Sequence, residues 1–64
     1  MKLAYRIELL VKRSPGLTAA EISEELFGDD THARRIETVC REVIEMGGIE
    51  QRGGAQTTGP ARYY

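Results

Sequence analysis

The sequence predicts an α+β fold in which three helices are followed by a small antiparallel hairpin. Two observations mark helices: a capping box at 18–21, and a later apolar stripe spaced at three, four and seven residues. A third marks the hairpin, since a glycine-rich loop at 53–60 separates two segments suited to strands. Glycine takes a left-handed backbone without strain, so glycines that follow the stripe end its helix. The apolar stripe consists of Ile36, Cys40 and Val43, and the glycines that end the helix are Gly47 and Gly48.

Length and composition limit the chain to one domain with a small core. Its 64 residues form a single predicted domain, 1–64, whose core is expected to supply only about 3–5 kcal/mol of stability. Cys40 is the only cysteine, so no disulfide can form within the chain, and a lone thiol fits a reducing, cytoplasmic setting. Arg6 and Glu8 interrupt the apolar run at 3–11, so we expect no signal peptide and no membrane-spanning segment.

Charged residues are distributed unevenly along the chain. Nine basic and ten acidic side chains leave a net charge of −1, less basic than a plain nucleic-acid coat protein. The first 17 residues carry four basic side chains against one acidic one, whereas 21–30 carry five acidic side chains and no basic one. The chain is therefore polarised, with an acidic middle and basic ends.

The first helix is predicted from one apolar face and from the turn that follows it. Pro15 disfavours helix at Ser14, and Gly16 turns the chain. Leu17 then stands alone and is expected to form a strand of one or two residues. The inward positions of this amphipathic helix are Leu3, Ile7, Leu10 and Val11.

The second helix is predicted to begin at residue 19 and to end at 26 or 27, with Ile22 and Leu26 facing inward. In its capping box, the Thr18 hydroxyl accepts from the Glu21 amide while the Glu21 carboxylate accepts from the Thr18 amide. Loss of such a cap typically costs ~1 kcal/mol.

A turn at 28–30 separates the second helix from the third. Asp30 or Thr31 is the predicted N-cap, and the carboxylates of Asp29 and Asp30 favour the positive end of the helix. The third helix is expected to extend to about Met46.

The hairpin is predicted from two short segments. One strand is expected to run from residue 49 to 51 or 52, and 62–64 is expected to return beside it. Because side chains alternate along a strand, one of Tyr63 and Tyr64 should point inward and the other outward.

Two stretches of the sequence carry a family resemblance. The first is GLTAAEISEEL at 16–26, and the second comprises the apolar stripe and its continuation at Ile49 and Arg52. Together they resemble a winged helix-turn-helix DNA-binding domain of the MarR-like, ArsR-like or small fimbrial and phage regulator kind. The resemblance covers nearly the whole chain. It implies a three-helix bundle whose third helix enters the major groove, with the hairpin as a wing on the backbone or minor groove.

The resemblance also implies which side chains touch DNA. A helical wheel places Arg34, Thr38 and Arg41 opposite the apolar stripe, with Arg35 on one flank. Arginine can hold guanine by two parallel hydrogen bonds, a contact worth roughly 1–3 kcal/mol of discrimination. Arginines on the hairpin are expected to contact phosphates or the minor groove. The predicted DNA-binding residues are Thr31, Arg34, Arg35, Thr38, Arg41, Arg52 and Arg62.

Each of these contacts has a plainer alternative. Arg34 and Arg41 could pair with Glu37 on the helix surface, a contact worth only about a few tenths of a kcal/mol. The hairpin arginines could pair with Glu50. A further anion site is conceivable at the backbone amides of 18–19, where a helix begins, although the nearby glutamate competes for it.

Side chains that would support catalysis or a metal site are sparse. His32 and Cys40 are single soft ligands, whereas a structural zinc site needs a full tetrahedral set. Asp29, Asp30 and His32 are better explained as turn residues than as metal ligands. No nucleophile has a base and an orienting group in evident reach, and the loop at 53–59 lacks the lysine of a phosphate-binding loop. We therefore expect no enzyme, no cofactor and no bound metal.

The leading hypothesis is sequence-specific binding of double-stranded DNA, in transcription regulation or in a related phage or plasmid process. The alternative is a winged-helix module for protein–protein interaction that uses the acidic second helix, with Glu21, Glu24 and Glu25, and does not bind DNA. A lone domain of this size binds weakly unless paired or tethered, so a homodimer or larger assembly is also expected.

Overall fold

The computed structural model describes residues 2–54 and 59–64, and within them it shows three helices and one two-stranded antiparallel sheet. The predicted helices and hairpin are therefore present, and the fold is α+β. Part of the predicted glycine-rich loop, 55–58, lies outside the described residues. Among the described residues, no helix combines the length and apolar character needed to span a bilayer. The elements are α1 (Leu3–Arg13), α2 (Ala19–Phe27), α3 (Ala33–Glu45), β1 (Gln51–Arg52) and β2 (Arg62–Tyr63).

α1 ends, and α2 begins and ends, where the sequence predicts. α1 ends at the turn before Gly16, whose φ of +95° is a left-handed value that suits glycine. α2 begins at a complete capping box: the Thr18 hydroxyl accepts from the Glu21 amide at 3.2 Å, and the Glu21 carboxylate accepts from the Thr18 amide at 2.9 Å. Each hydrogen bond gives an acceptor to a backbone amide that a bare helix start leaves without a partner.

The junction between α2 and α3 differs from the prediction. Neither Asp30 nor Thr31 caps α3; His32 holds the N-cap position, and it makes no side-chain capping hydrogen bond. The reason is a local turn around Asp29, whose carboxylate accepts from the Thr31 amide at 3.1 Å and from the Thr31 hydroxyl at 2.6 Å. A short polar side chain that bonds the backbone two residues on stabilises a turn, so the helix starts later.

A buried serine fixes the same junction from the side of α2. The Ser23 hydroxyl donates to the Asp29 carbonyl at 2.6 Å and accepts from the His32 amide at 3.2 Å. Ser23 is fully buried, so these two bonds prevent the cost of an unsatisfied polar group in the core. They also set the direction in which α3 leaves α2.

The core confirms the predicted apolar stripe. Ile36, Cys40 and Val43 are buried on the inner side of α3, which packs against both α1 and α2. At the end of α3, a side chain on Gly48 would come within 2.9 Å of the Val43 side chain and 3.2 Å of the Glu8 carboxyl carbon, so glycine permits the close approach to α1. The other buried apolar residues are Ile7, Leu10, Val11, Ala19, Ile22, Ile49 and Tyr63.

The sheet is short, and β2 contacts both β1 and the residue that precedes the capping box of α2. Gln51 pairs with Tyr63 and Arg52 with Arg62, and Leu17 forms the expected one-residue bridge to Tyr63. Tyr63 is 3% exposed and Tyr64 is 37% exposed, which confirms the predicted alternation.

β1 starts two residues later than the prediction. The backbones of Glu50 and Tyr64 exchange hydrogen bonds at 3.0 and 2.9 Å, and this register leaves Ile49 without a strand partner among the described residues. Ile49 is instead buried in the core. Burial, not strand pairing, therefore explains the apolar side chain at this position.

Candidate nucleic-acid interface

The outer face of α3 carries four of the predicted site residues. Arg34, Arg35, Thr38 and Arg41 are all exposed, because the burial of the opposite stripe fixes the rotation of the helix. The predicted outward placement of this group is confirmed.

The three arginines of α3 make no ion pair or side-chain hydrogen bond with any other described residue. The alternative in which Arg34 and Arg41 pair with Glu37 is therefore not the arrangement found in the described part of the chain. Each guanidinium keeps its full set of donors for a ligand.

The two threonines of the predicted site are partly engaged. The Thr38 hydroxyl donates back to the Arg34 carbonyl at 3.3 Å, a common bond within a helix. The Thr31 hydroxyl donates to Asp29 and lies 3.2 Å from Nδ1 of His32. Because each hydroxyl proton already has an acceptor, these oxygens are more available as acceptors than as donors.

Arg52, on β1, has two partners within the hairpin. Its Nε lies 3.7 Å from the Glu50 carboxylate, and its guanidinium lies 4.5 Å from the centre of the Tyr64 ring. The plainer alternative for this residue, an ion pair with Glu50, is thus present. Because all three side chains are exposed, these contacts are weak and a phosphate could compete with them.

Arg62, on β2, connects the hairpin to the start of α2. Its Nη1 donates to the Gly16 carbonyl at 2.9 Å and lies 3.6 Å from the Glu21 carboxylate. The same carboxylate closes the capping box, so one acid links the helix start to the hairpin. Sequence reasoning missed this contact, since 46 residues separate Arg62 from Gly16 and no local signal joins them.

The start of α2 is not a free anion site. The Thr18 amide, one of the two groups proposed to hold a phosphate, already donates to Glu21. The hydrogen bond from that amide is the main cause that lowers the pKa of Glu21; desolvation opposes it, and the Thr18 hydroxyl and Arg62 lower the pKa further. Glu21 is therefore ionised at neutral pH and repels an approaching phosphate.

The remaining chemistry-bearing residues have structural partners. His32 stacks on Phe27 with ring centres 4.2 Å apart, and its Nδ1 lies 3.8 Å from Asp29. Cys40 is buried, and desolvation raises the pKa of its thiol to about 12, so the reactive thiolate is not populated at neutral pH. The described residues contain no group of three or more acidic, histidine or cysteine side chains arranged to hold a metal ion.

Comparisons with protein-family models, with curated proteins and with solved structures found no match to this chain.

Proposed function

We propose that this chain is a winged helix-turn-helix domain that binds double-stranded DNA through the outer face of α3. The order of three helices and a hairpin, with α2 and α3 joined by a short turn, supports this proposal. In it, α3 lies in the major groove and the hairpin approaches the DNA backbone or minor groove. The biological role proposed is transcription regulation or a related phage or plasmid process.

One observation carries the proposal: the first turn of α3 contains two exposed arginines and no acidic residue. The positive end of a helix dipole favours carboxylates there and disfavours cations, by about 0.3–1 kcal/mol per charge. Arg34 and Arg35 therefore lower the stability of the fold, and no described partner compensates them. A residue type that opposes the helix dipole in this way is expected where the side chain serves binding and not stability.

The proposed roles follow from position on the helix. Arg34 lies on the first turn and faces away from the core, where it would read a guanine edge by two hydrogen bonds. Thr38, one turn later on the same face, would accept from a base amino group or contact a thymine methyl. Arg35 and Arg41 lie beside them and would contact phosphates.

The hairpin arginines play unequal roles in this proposal. Arg52 can leave its exposed partners for a phosphate at little cost. Arg62 would have to give up its bond to Gly16, so its main contribution is to hold the hairpin in place. Thr31 is proposed only as an acceptor at the edge of the interface.

Salt-dependent titration onto duplex DNA tests the proposal. A fluorescence titration at several salt concentrations should give a log–log slope of about −0.9 per phosphate neutralised. Randomised-duplex selection should then show that Arg34→Ala relaxes base preference at one position by roughly 1–3 kcal/mol. The matched control is Arg13→Ala, which removes the same charge from an exposed position on α1.

Two outcomes would contradict the proposal. The first is no binding to any duplex at low salt by a folded protein, which would favour the protein–protein alternative built on acidic α2. The second is equal loss of affinity and unchanged base preference for Arg34→Ala and Arg13→Ala. That result would assign any DNA affinity to overall charge.

A further inference from the structure

A groove between α1 and α2 combines leucine side chains with two guanidinium groups. It has a volume of about 390 Å³, and its lining residues, none of them acidic, are Arg6, Leu9, Leu10, Arg13 and Leu26. Leu9 is 46% exposed, although leucine is among the residues most often buried. Tyr5, one turn earlier on the same face of α1, is 52% exposed, so apolar surface continues beyond the groove. Exposed apolar surface bordered by charged groups is typical of a site that contacts another protein.

The two arginines of this groove are exposed, and neither forms an ion pair or a side-chain hydrogen bond with another described residue. The acid of α1, Glu8, is held by Lys12 at 2.9 Å. Arg13 lies in the last turn of α1, where the helix dipole favours a cation. Arg6 lies in the middle of the helix and has no such compensation. Both guanidinium groups keep their donors for a ligand, and a carboxylate is the group that matches their geometry.

The spacing of the arginines defines the pattern of a ligand that engages both. Arg6 and Arg13 are seven positions apart on α1, which corresponds to about 10.5 Å along the helix axis. Leu9 and Leu10 lie between them, and Leu26 faces them from α2. A matching ligand carries two anionic groups about 10.5 Å apart, with an apolar group between them. A helix with two acidic residues seven positions apart, and an apolar residue between these on the same face, has this pattern.

We propose that this groove is the docking site for an acidic amphipathic helix of a different protein. The apolar side chain of that helix enters between Leu9 and Leu26, and its two carboxylates pair with Arg6 and Arg13. The apolar contact supplies affinity, while the two charge pairs select acidic partners and fix the position of the helix along the groove. The groove includes no residue of α3, so this proposal does not depend on DNA binding by Arg34.

Two other occupants fit the groove less well. Phosphates of a nucleic acid would gain from the two arginines, but the three leucines of the lining offer them no polar contact. A second copy of this chain lacks a helix of the required pattern, since none of the three described helices carries two acidic residues seven positions apart. On α2, the most acidic of the three for its length, Ile22 is fully buried and cannot enter a partner's groove.

Nuclear magnetic resonance titration of the isotope-labelled full chain with a synthetic peptide tests the proposal. The glutamate peptide is an acetylated and amidated helix of alanine and glutamine that carries two glutamates seven positions apart, with leucines at the third and fourth positions between them. It should shift the backbone amide signals of Leu9, Leu10 and Leu26, and binding should weaken as salt rises. The lysine peptide, in which lysines replace both glutamates, is the matched control and should bind at least about ten-fold more weakly, because it places like charges together.

Variants of the chain test the contacts from the other side. Arg6→Gln/Arg13→Gln should weaken binding of the glutamate peptide about ten-fold, as expected for two exposed ion pairs. The matched control is Arg35→Gln/Arg41→Gln, which removes the same charge from exposed positions of α3 that do not line the groove, and it should leave peptide binding unchanged. Arg6→Glu/Arg13→Glu should exchange the preference and bind the lysine peptide, which also shows that this variant is folded.

Several results would overturn the proposal. They include a glutamate peptide that shifts no signal of the groove, two peptides that bind equally well, and equal losses in the groove variant and the α3 control. Groove signals that move with protein concentration in the absence of peptide would assign the groove to a second copy. Groove signals that move with duplex DNA but not with the glutamate peptide would assign it to nucleic acid. Failure of DNA binding through α3 would leave all of these peptide measurements unaffected, so the two proposals fail separately.

Discussion

The arginines of α3 and the arginines of the hairpin differ in what they contact, although both groups were predicted to bind DNA. Arg34 and Arg41 are exposed and form no ion pair with another described residue. Arg52 and Arg62 have partners within the chain: a carboxylate and a ring for Arg52, and the Gly16 carbonyl with Glu21 for Arg62. Among the described residues, the same type of side chain thus lacks an ion-pair partner in one region and holds the fold together in the other.

This difference shows that a basic residue near an expected interface is not by itself a contact. On α3 the arginines occupy positions where the helix dipole opposes them or where no described partner stabilises them, so stability does not explain them. On the hairpin, stability explains Arg62 without reference to a ligand. The comparison therefore predicts opposite effects on folding for substitutions in the two regions.

The largest expected effect concerns the buried face that presents the α3 arginines. Ile36 is 0% exposed, so Ile36→Ala should lower the free energy of unfolding by about 2–5 kcal/mol. That loss approaches the whole stability expected of so small a core, and urea denaturation followed by circular dichroism would measure it. Thr38→Ala, on the exposed side of the same helix, is the control and should change stability by less than about 0.5 kcal/mol. Similar effects for the two variants would mean that α3 is rotated differently.

A smaller loss is expected when the helix start that anchors the hairpin is altered. Thr18→Ala removes the hydroxyl that caps α2 and should cost ~1 kcal/mol in the free energy of unfolding. Thr18→Ser keeps the hydroxyl and should retain most of the stability. An uncapped helix as stable as the wild type would show that Glu21 and Arg62 hold this junction without the threonine.

Arg62→Ala should cost about 0.5–1.5 kcal/mol in the free energy of unfolding, because the Gly16 carbonyl loses its side-chain donor. Thermal unfolding would measure the loss. Arg52→Ala is the matched control from the neighbouring strand, and it should have a smaller effect because its partners are exposed. The reverse order would mean that the hairpin is held through the Tyr64 ring.

Arg34→Glu should raise stability slightly, by about 0.3–1 kcal/mol, since it places a carboxylate in the first turn of α3. DNA binding should be lost in the same variant. Arg41→Glu is the control: it lies beyond the first turn, where the dipole effect fades, and it adds a like charge near Glu37 and Glu45. A loss of stability in Arg34→Glu would show that Arg34 has a structural role.

The smallest effect is a change in the dependence of stability on pH. The pKa of Glu21 is lowered in the folded state, chiefly by the hydrogen bond from the Thr18 amide. A lowered carboxyl pKa gives stability that is present above the unfolded value of 4.5 and is lost as the pH falls through the folded value. Glu21→Gln should therefore flatten the acid side of the Tm profile, with Glu24→Gln on the same helix as the matched control. An unchanged profile would rule out this contribution.

Local features of the sequence were sufficient to predict most of the fold. The capping box of Thr18 and Glu21 depends on residues three apart, and the burial of Ile36 and Val43 depends on helical periodicity alone. The start of α3 was predicted wrongly because Asp29 forms a turn with Thr31, and the choice between turn and cap depends on the buried Ser23. The outward direction of the α3 arginines followed from the same periodicity as the core.

By itself, the sequence determined the three helices, the alternating directions of Tyr63 and Tyr64, and the face of α3 that points outward. Each of these features depends on interactions within a few residues. Only the tertiary structure decided that Arg62 donates to the Gly16 carbonyl, whereas Arg34 forms no ion pair with another described residue. The physical reason is that such contacts join residues far apart in the chain. Their energies depend on how the elements pack, which no local pattern records.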